Sequence, residues 1–225
     1  MPMRRAVRRT ASGSDSVPIM TYIHYDYASA EEAWSNGYVA QHVLTRLRAE
    51  PNIRRVLDAG CGNGTLTARI AAAGFDVTGF DSSTSGIVHA RVAFPTVRFE
   101  VASVYDDLNS RFGEVFDACV CVEVIEHLYD PRTFVGRVFD ALRPGGLLIV
   151  STPYHGYLKN LALALTGKMD SHYSALWDGG HIKFWSRSTL TYLLSERGFE
   201  VIHFVGAGRI PFVWKSMIVT ARKRT

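Results

Sequence analysis

Cysteine is scarce in this 225-residue chain: there are three, Cys61, Cys119 and Cys121. An odd count, with two of the three inside one apolar run, argues against a disulfide framework and for the reduced thiols of a cytoplasmic protein. Cys119 and Cys121 are spaced C-x-C, which is not zinc-site spacing. No apolar run approaches the ~20 residues of a membrane span, and no internal repeat is visible. Charge of one sign is also lacking beyond the first ten residues. The formal net charge is +4, and Arg4, Arg5, Arg8 and Arg9 alone supply four positive charges. The remainder is near neutral, so no basic stripe for nucleic acid is seen. Residues 1–18, rich in Arg, Ser and Gly, read as a disordered basic tail.

What is present is core material. Hydrophobic residues make up 47% and charged residues 20%, which excludes global disorder and suits one α/β domain with modest additions. Residues 19–50 read as an N-terminal helical cap. An aromatic cluster (Tyr22, His24, Tyr25, Tyr27, Trp34, Tyr38) precedes a helical spacing of Val43, Leu44 and Leu47, ended by Pro51. From 51 to 225 strands and helices alternate. Strands are expected at 55–59, 76–80, 97–101, 116–124, 147–151, 200–205 and 215–221, with helices at 65–73, 82–92, from Pro131 to Leu142, and 188–197. Residues 154–180 break the rhythm and read as an insertion. Such alternation predicts a doubly wound, Rossmann-like, seven-stranded and mostly parallel sheet with helices on both faces. The loops after its strands then share one edge, where ligands bind.

Asp58-Ala59-Gly60-Cys61-Gly62-Asn63-Gly64 joins the first strand to the first helix. Glycines there permit positive φ and close approach of a ligand to backbone. Asp81 ends the second strand at a distance suited to holding both hydroxyls of a ribose. In a dinucleotide loop, G-x-G-x-x-G, the third glycine would fall at 65, which is Thr65. The acid before the loop, Asp58, would also repel a pyrophosphate and attract the ammonium of an amino-acid moiety. The combination favours an amino-acid-bearing nucleoside over a nicotinamide cofactor.

These residues resemble those of class I S-adenosylmethionine-dependent methyltransferases. Residues 56–64 look like the family's first motif, Phe80-Asp81-Ser82-Ser83 its ribose acid, Phe116 to Val120 its fourth strand, and 142–148 the turn before its fifth. The resemblance implies S-adenosylmethionine as donor, held by Asp58, Gly60, Cys61 and Gly62 on one side and by Asp81 and Ser82 at the ribose. Ser103, Val104 and Cys121 are implied at the adenine and the cleft floor. Ser103 stands where the family usually has an acid or amide, so Asp106 is an alternative adenine contact.

Glu123, Glu126 and His127 stand at i, i+3 and i+4, which puts all three on one face of a helical turn. Two carboxylates and an imidazole so placed would repel without a cation or protons between them. An oxygen-rich set with one histidine suits Mg²⁺ or a similar ion. Ser151-Thr152-Pro153 follows the fifth strand, and His181 sits in the loop Gly180 to Ser186. This pattern resembles ubiquinone-biosynthesis O-methyltransferases and small-RNA 2′-O-methyltransferases. The resemblance implies Glu123, Glu126, His127 and His181 as metal ligands. Glu126, His127 and His181 are therefore the candidate catalytic residues, with either histidine as a general base if no metal binds. His155 is a rival for His181. The expected reaction is methyl transfer to a hydroxyl of a catechol-like or diol-bearing small molecule. Metal-independent transfer to nitrogen or carbon, and RNA 2′-O-methylation, are the alternatives. Leu158, Leu161 and Leu165 share a helical face within 157–165, suited to a lid, to sheet packing or to peripheral membrane contact. Trp177 and Trp185 flank His181 and are expected to frame a ring.

Overall fold

The computed structural model describes residues 36–173 and 175–225. The basic tail and most of the expected N-terminal cap lie outside the described residues. Helix α1 (Asn36–Arg48) precedes the first strand. Val39, Val43 and Leu47, spaced four apart on one face, are fully buried.

Strands β1 (Arg55–Ala59), β2 (Asp76–Asp81), β3 (Arg98–Val101), β4 (Phe116–Val122), β5 (Leu142–Pro153), β6 (Phe199–Ala207) and β7 (Ser216–Lys223) form a single sheet. Their order is β3-β2-β1-β4-β5-β7-β6. The first five strands pair in parallel, and β7 pairs antiparallel to both β5 and β6. Strand order reverses between β1 and β4, and the ends of these two strands define the ligand edge.

Helices α2 (Thr65–Ala72), α3 (Thr84–Ala93), α5 (Pro131–Ala141) and α8 (Arg187–Glu196) cover the sheet. Their ends follow local chemistry. Ser83 caps α3 by accepting from the Gly86 N–H, while Ser82 is exposed. Pro131 opens α5 behind Asp130, whose carboxylate accepts from the Thr133 N–H. Ser186 and Thr189 form a capping box on α8.

The core lies in two layers. Phe80, Phe116, Phe134 and Phe199 fill one, and Val56, Ile70, Val120 and Ile149 belong to the other. Each such side chain contributes about 1.5–3 kcal/mol on burial. β4 is buried on both faces through Ala118, Cys119, Val120 and Cys121, as expected of a central parallel strand.

Three departures bear on the site. β4 stops at Val122 rather than continuing to 124. β5 begins at Leu142, because Leu142 already pairs with Phe116 before a register shift admits the Arg143–Gly146 turn. A short helix, α4 (Leu108–Phe112), forms where no periodic pattern was visible. Its signal was Asp107, whose carboxylate accepts from the Asn109 and Ser110 N–H groups. The insertion supplies α6 (Tyr157–Leu165) and α7 (Met169–Tyr173).

Candidate active site

The donor half of the edge is built from backbone. Gly60, Gly62 and Gly64 have φ of 76°, 55° and 79°, which only glycine adopts readily. The Gly60 and Cys61 N–H groups donate to the Phe80 carbonyl at 2.8 and 3.0 Å, tying the loop to β2. A Cβ on Gly60 would lie 2.4 Å from Val124 Cγ2, so the loop is pressed against the segment that follows β4. The Asp81 carboxylate accepts from the Gly62 N–H at 2.9 Å and from the Ser83 N–H at 2.7 Å. It thereby joins the glycine loop to the head of α3.

Asp58 is buried, and the Thr67 hydroxyl donates to it at 2.7 Å. Burial pushes its carboxyl up to about 7, the Thr67 bond opposing this and Asp81 adding to it. Below about pH 4 both folded and unfolded chains hold this proton. Between about 4 and 7 the unfolded chain has lost it and the folded chain has not, so stability falls as pH rises. Without donor, Asp58→Asn should flatten part of that slope and stabilise the protein at pH 8 by up to about 4 kcal/mol. Calorimetric melting at pH 5 and pH 8 measures this, and an unchanged slope refutes it.

After β3 the Ser103 N–H donates to Asp106 Oδ2 at 3.0 Å, and the Ser103 hydroxyl accepts from the Tyr105 N–H at 3.2 Å. Ser103, Val104 and Asp106 thus form one turn after β3. Cys121 departs from expectation. Its side chain is wholly buried and packs in the hydrophobic core, with its thiol pushed far up by burial. It supports the cleft floor from beneath and does not face the cleft.

The second half lies after β4. A 3-10 turn spans Ile125–His127. Glu126 is wholly buried. Its Oε2 accepts from the Thr152 hydroxyl at 3.0 Å, while its Oε1 has no hydrogen-bond partner among the described residues. His127 Nδ1 lies 3.0 Å from the Gly179 carbonyl and 3.2 Å from that of Gly180. Carbonyls only accept, so Nδ1 carries the proton and the lone pair sits on Nε2. The Ile182 and Lys183 N–H groups donate to the Glu126 carbonyl at 2.9 and 3.0 Å. These bonds bring His181 Nε2 within 3.9 Å of Glu126 Oε1. One ligand atom from each of Glu126, His127 and His181 falls within 4.8 Å of the others.

Burial, reinforced by Glu123, pushes the Glu126 carboxyl far up. Burial and the neighbouring His127 pull His181 down to about 4, and burial also lowers His127. Both imidazoles are therefore neutral near pH 7 and cannot serve as counter-ions to Glu126. The cluster offers neutral nitrogen donors and a carboxyl that a divalent ion would deprotonate on binding.

Glu123 corrects an expectation. The helical spacing that would align it with Glu126 and His127 needs helical backbone across 123–127. Instead Glu123 has φ 54° and only 125–127 turn. Its side chain leaves the cluster, and its Oε1 accepts from the Ser151 hydroxyl at 2.8 Å. Ser216 is a second hydrogen-bond partner, and Lys215 and Lys159 favour its charge. His155 is also set apart, packed among the rings of His172, Tyr173 and Phe184. Trp177 stacks obliquely beside His127 and His181. The Trp185 indole instead donates to the Ile125 carbonyl at 3.4 Å. Thr152, Ser216 and Lys159 carried no role in the sequence reading. Only the Ser151-Thr152-Pro153 run hinted at the first of them.

A family model described as a methyltransferase domain matches residues 25–204 of the chain. The chain belongs to the class I S-adenosylmethionine-dependent methyltransferases. Among curated relatives of this methyltransferase is the ubiquinone biosynthesis O-methyltransferase of Bradyrhizobium sp. strain ORS 278. It is 36% identical over 152 residues, covering 64% of this chain and 57% of that enzyme. The enzyme of the same name from Psychrobacter arcticus is 32% identical over 188 residues, covering 78% and 70%. The chain spans 55% to 70% of the length of ubiquinone biosynthesis O-methyltransferases that it matches. Among solved structures, the methyltransferase domain of bacterial CtHen1-CN superposes with a TM-score of 0.64 at 25% identity, covering 83% of this chain and 98% of that one.

Proposed function

We propose that this methyltransferase transfers a methyl group to one hydroxyl of a catechol-like or diol-bearing small molecule, with a divalent cation held by Glu126, His127 and His181. The observation that carries the reading is Glu126 Oε1, a wholly buried carboxyl oxygen with no hydrogen-bond partner among the described residues, beside two imidazoles that stay neutral. Without a cation, burial holds this carboxyl in its protonated form; a divalent ion at the site would displace the proton and meet the charge. Two imidazoles and one carboxylate suit Mn²⁺, Fe²⁺ or Zn²⁺ better than the Mg²⁺ suggested by two carboxylates and one histidine.

S-adenosylmethionine, when bound, supplies an electrophilic methyl sulfonium. A divalent ion, when bound, lowers the pKa of a chelated hydroxyl from its ordinary phenolic value near 10. The chain supplies the rest. Asp81 and the glycine loop hold the donor, with Asp58 placed to meet its ammonium. The Gly179 and Gly180 carbonyls fix the tautomer of His127. Trp177 shields the two imidazoles from water on one side. Holding both partners in line is itself worth several kcal/mol of barrier.

The test is an assay with S-adenosylmethionine and catechol. A mono-O-methylated product is expected, lost on chelation and restored by Mn²⁺ or Mg²⁺. Full activity after chelation would favour metal-independent transfer, with a histidine as base.

A further inference from the structure

The face of α6 that points inward is not its apolar one. Tyr157, Leu158, Leu161 and Leu165 are exposed, whereas Lys159 is 7% exposed. Among the described residues the hydrogen-bond partner of its ammonium is the Lys215 carbonyl, at 3.5 Å. Three N–H donors are thus served by one long bond. Burial lowers the Lys159 pKa to about 8, with the Glu123 carboxylate opposing and Lys215 adding, so the cation persists at neutral pH. His155, in the same segment, has Asn160 as a hydrogen-bond partner and feels the Lys159 charge. Native structures rarely leave a buried ammonium so sparsely served unless something else meets it.

The position is informative. Lys159 acts on Glu123, which is anchored to Ser151 at the end of β5, and Glu123 in turn acts on Glu126. The Lys215 carbonyl that Lys159 meets directly precedes Ser216, which pairs with Pro153 at the end of β5, next to the Thr152 that donates to Glu126. We propose that Lys159 selects the acceptor by meeting a carboxylate carried on the same molecule as the hydroxyl to be methylated. This rests on the hydroxyl-transfer reading above and names the class of substrate within it. A singly charged carboxylate fits better than a phosphate dianion, because the Glu123 carboxyl stands near the same ammonium.

The test compares catechol with 3,4-dihydroxybenzoate, binding each to the full chain loaded with S-adenosylhomocysteine and reading dissociation constants by calorimetry. The wild type is expected to bind the carboxylate-bearing ring about 10- to 100-fold more tightly, as for a buried charge-assisted hydrogen bond. In Lys159→Met that ratio should fall to about one, and Lys159→Arg should keep part of it. Melting curves establish that both variants fold. Equal binding of the two rings by the wild type overturns the proposal, as does a preference that survives in Lys159→Met or no binding of either ring. Failure of the hydroxyl-transfer reading looks different: neither ring is methylated, yet the preference and its loss in Lys159→Met remain.

Discussion

Glu126→Gln should abolish divalent-metal binding and lower turnover about 1,000-fold, the equivalent of about 4 kcal/mol of transition-state stabilisation. The substitution keeps the shape of the side chain and the contact with Thr152. It removes the ionisable oxygen that lies 3.9 Å from His181 Nε2 and that no donor among the described residues meets. Folding should not suffer. The buried carboxyl must take up a proton to fold without metal, a cost near neutral pH that an amide does not carry. The three readings separate the roles. Manganese titration should show no heat, the rate should collapse, and the melting temperature without metal should stay level or rise. Undiminished manganese binding would remove Glu126 from the ligand set. A lower melting temperature would make it a structural residue instead.

The other large effect is expected at Asp81. Asp81→Ala should weaken binding of S-adenosylhomocysteine by 100-fold or more. Two charge-assisted bonds to a ribose are worth about 1.5–3 kcal/mol each. The loss goes beyond direct contact, because the same carboxylate accepts from the Gly62 and Ser83 N–H groups. Without it the glycine loop and the head of α3 lose their shared anchor. Asp81→Asn, which keeps one good acceptor, should fall between wild type and the alanine variant. Calorimetry with the demethylated nucleoside reads both, and affinity within threefold of wild type in Asp81→Ala would place the ribose elsewhere.

The alternation of Val-rich runs with capped helices made the sheet legible, because buried parallel strands and amphipathic helices leave opposite periodicities. The antiparallel seating of β7 between β5 and β6 was less visible, since strand order depends on pairings distant in sequence. The shape of the glycine loop was legible because its positive-φ glycines and the Asp81 carboxylate act through local backbone geometry. The cluster after β4 was only partly so. Glu126, His127 and His181 do converge, but spacing alone could not reveal the left-handed backbone at Glu123 that turns its carboxylate toward Ser151. Nor could it reveal Lys159. A lysine among leucines reads as the wet side of a helix, and only tertiary packing shows it to be the dry one.

The contact between Gly60 and Val124 sets the two halves of the edge back to back, with no spare thickness between them. Val124 is the residue from which the Glu126–His127 turn springs. A bulkier neighbour at position 60 would push on that turn as well as on the nucleoside's seat. Donor pocket and acid–imidazole cluster therefore share one partition, and neither is at liberty to drift during divergence without dragging the other along.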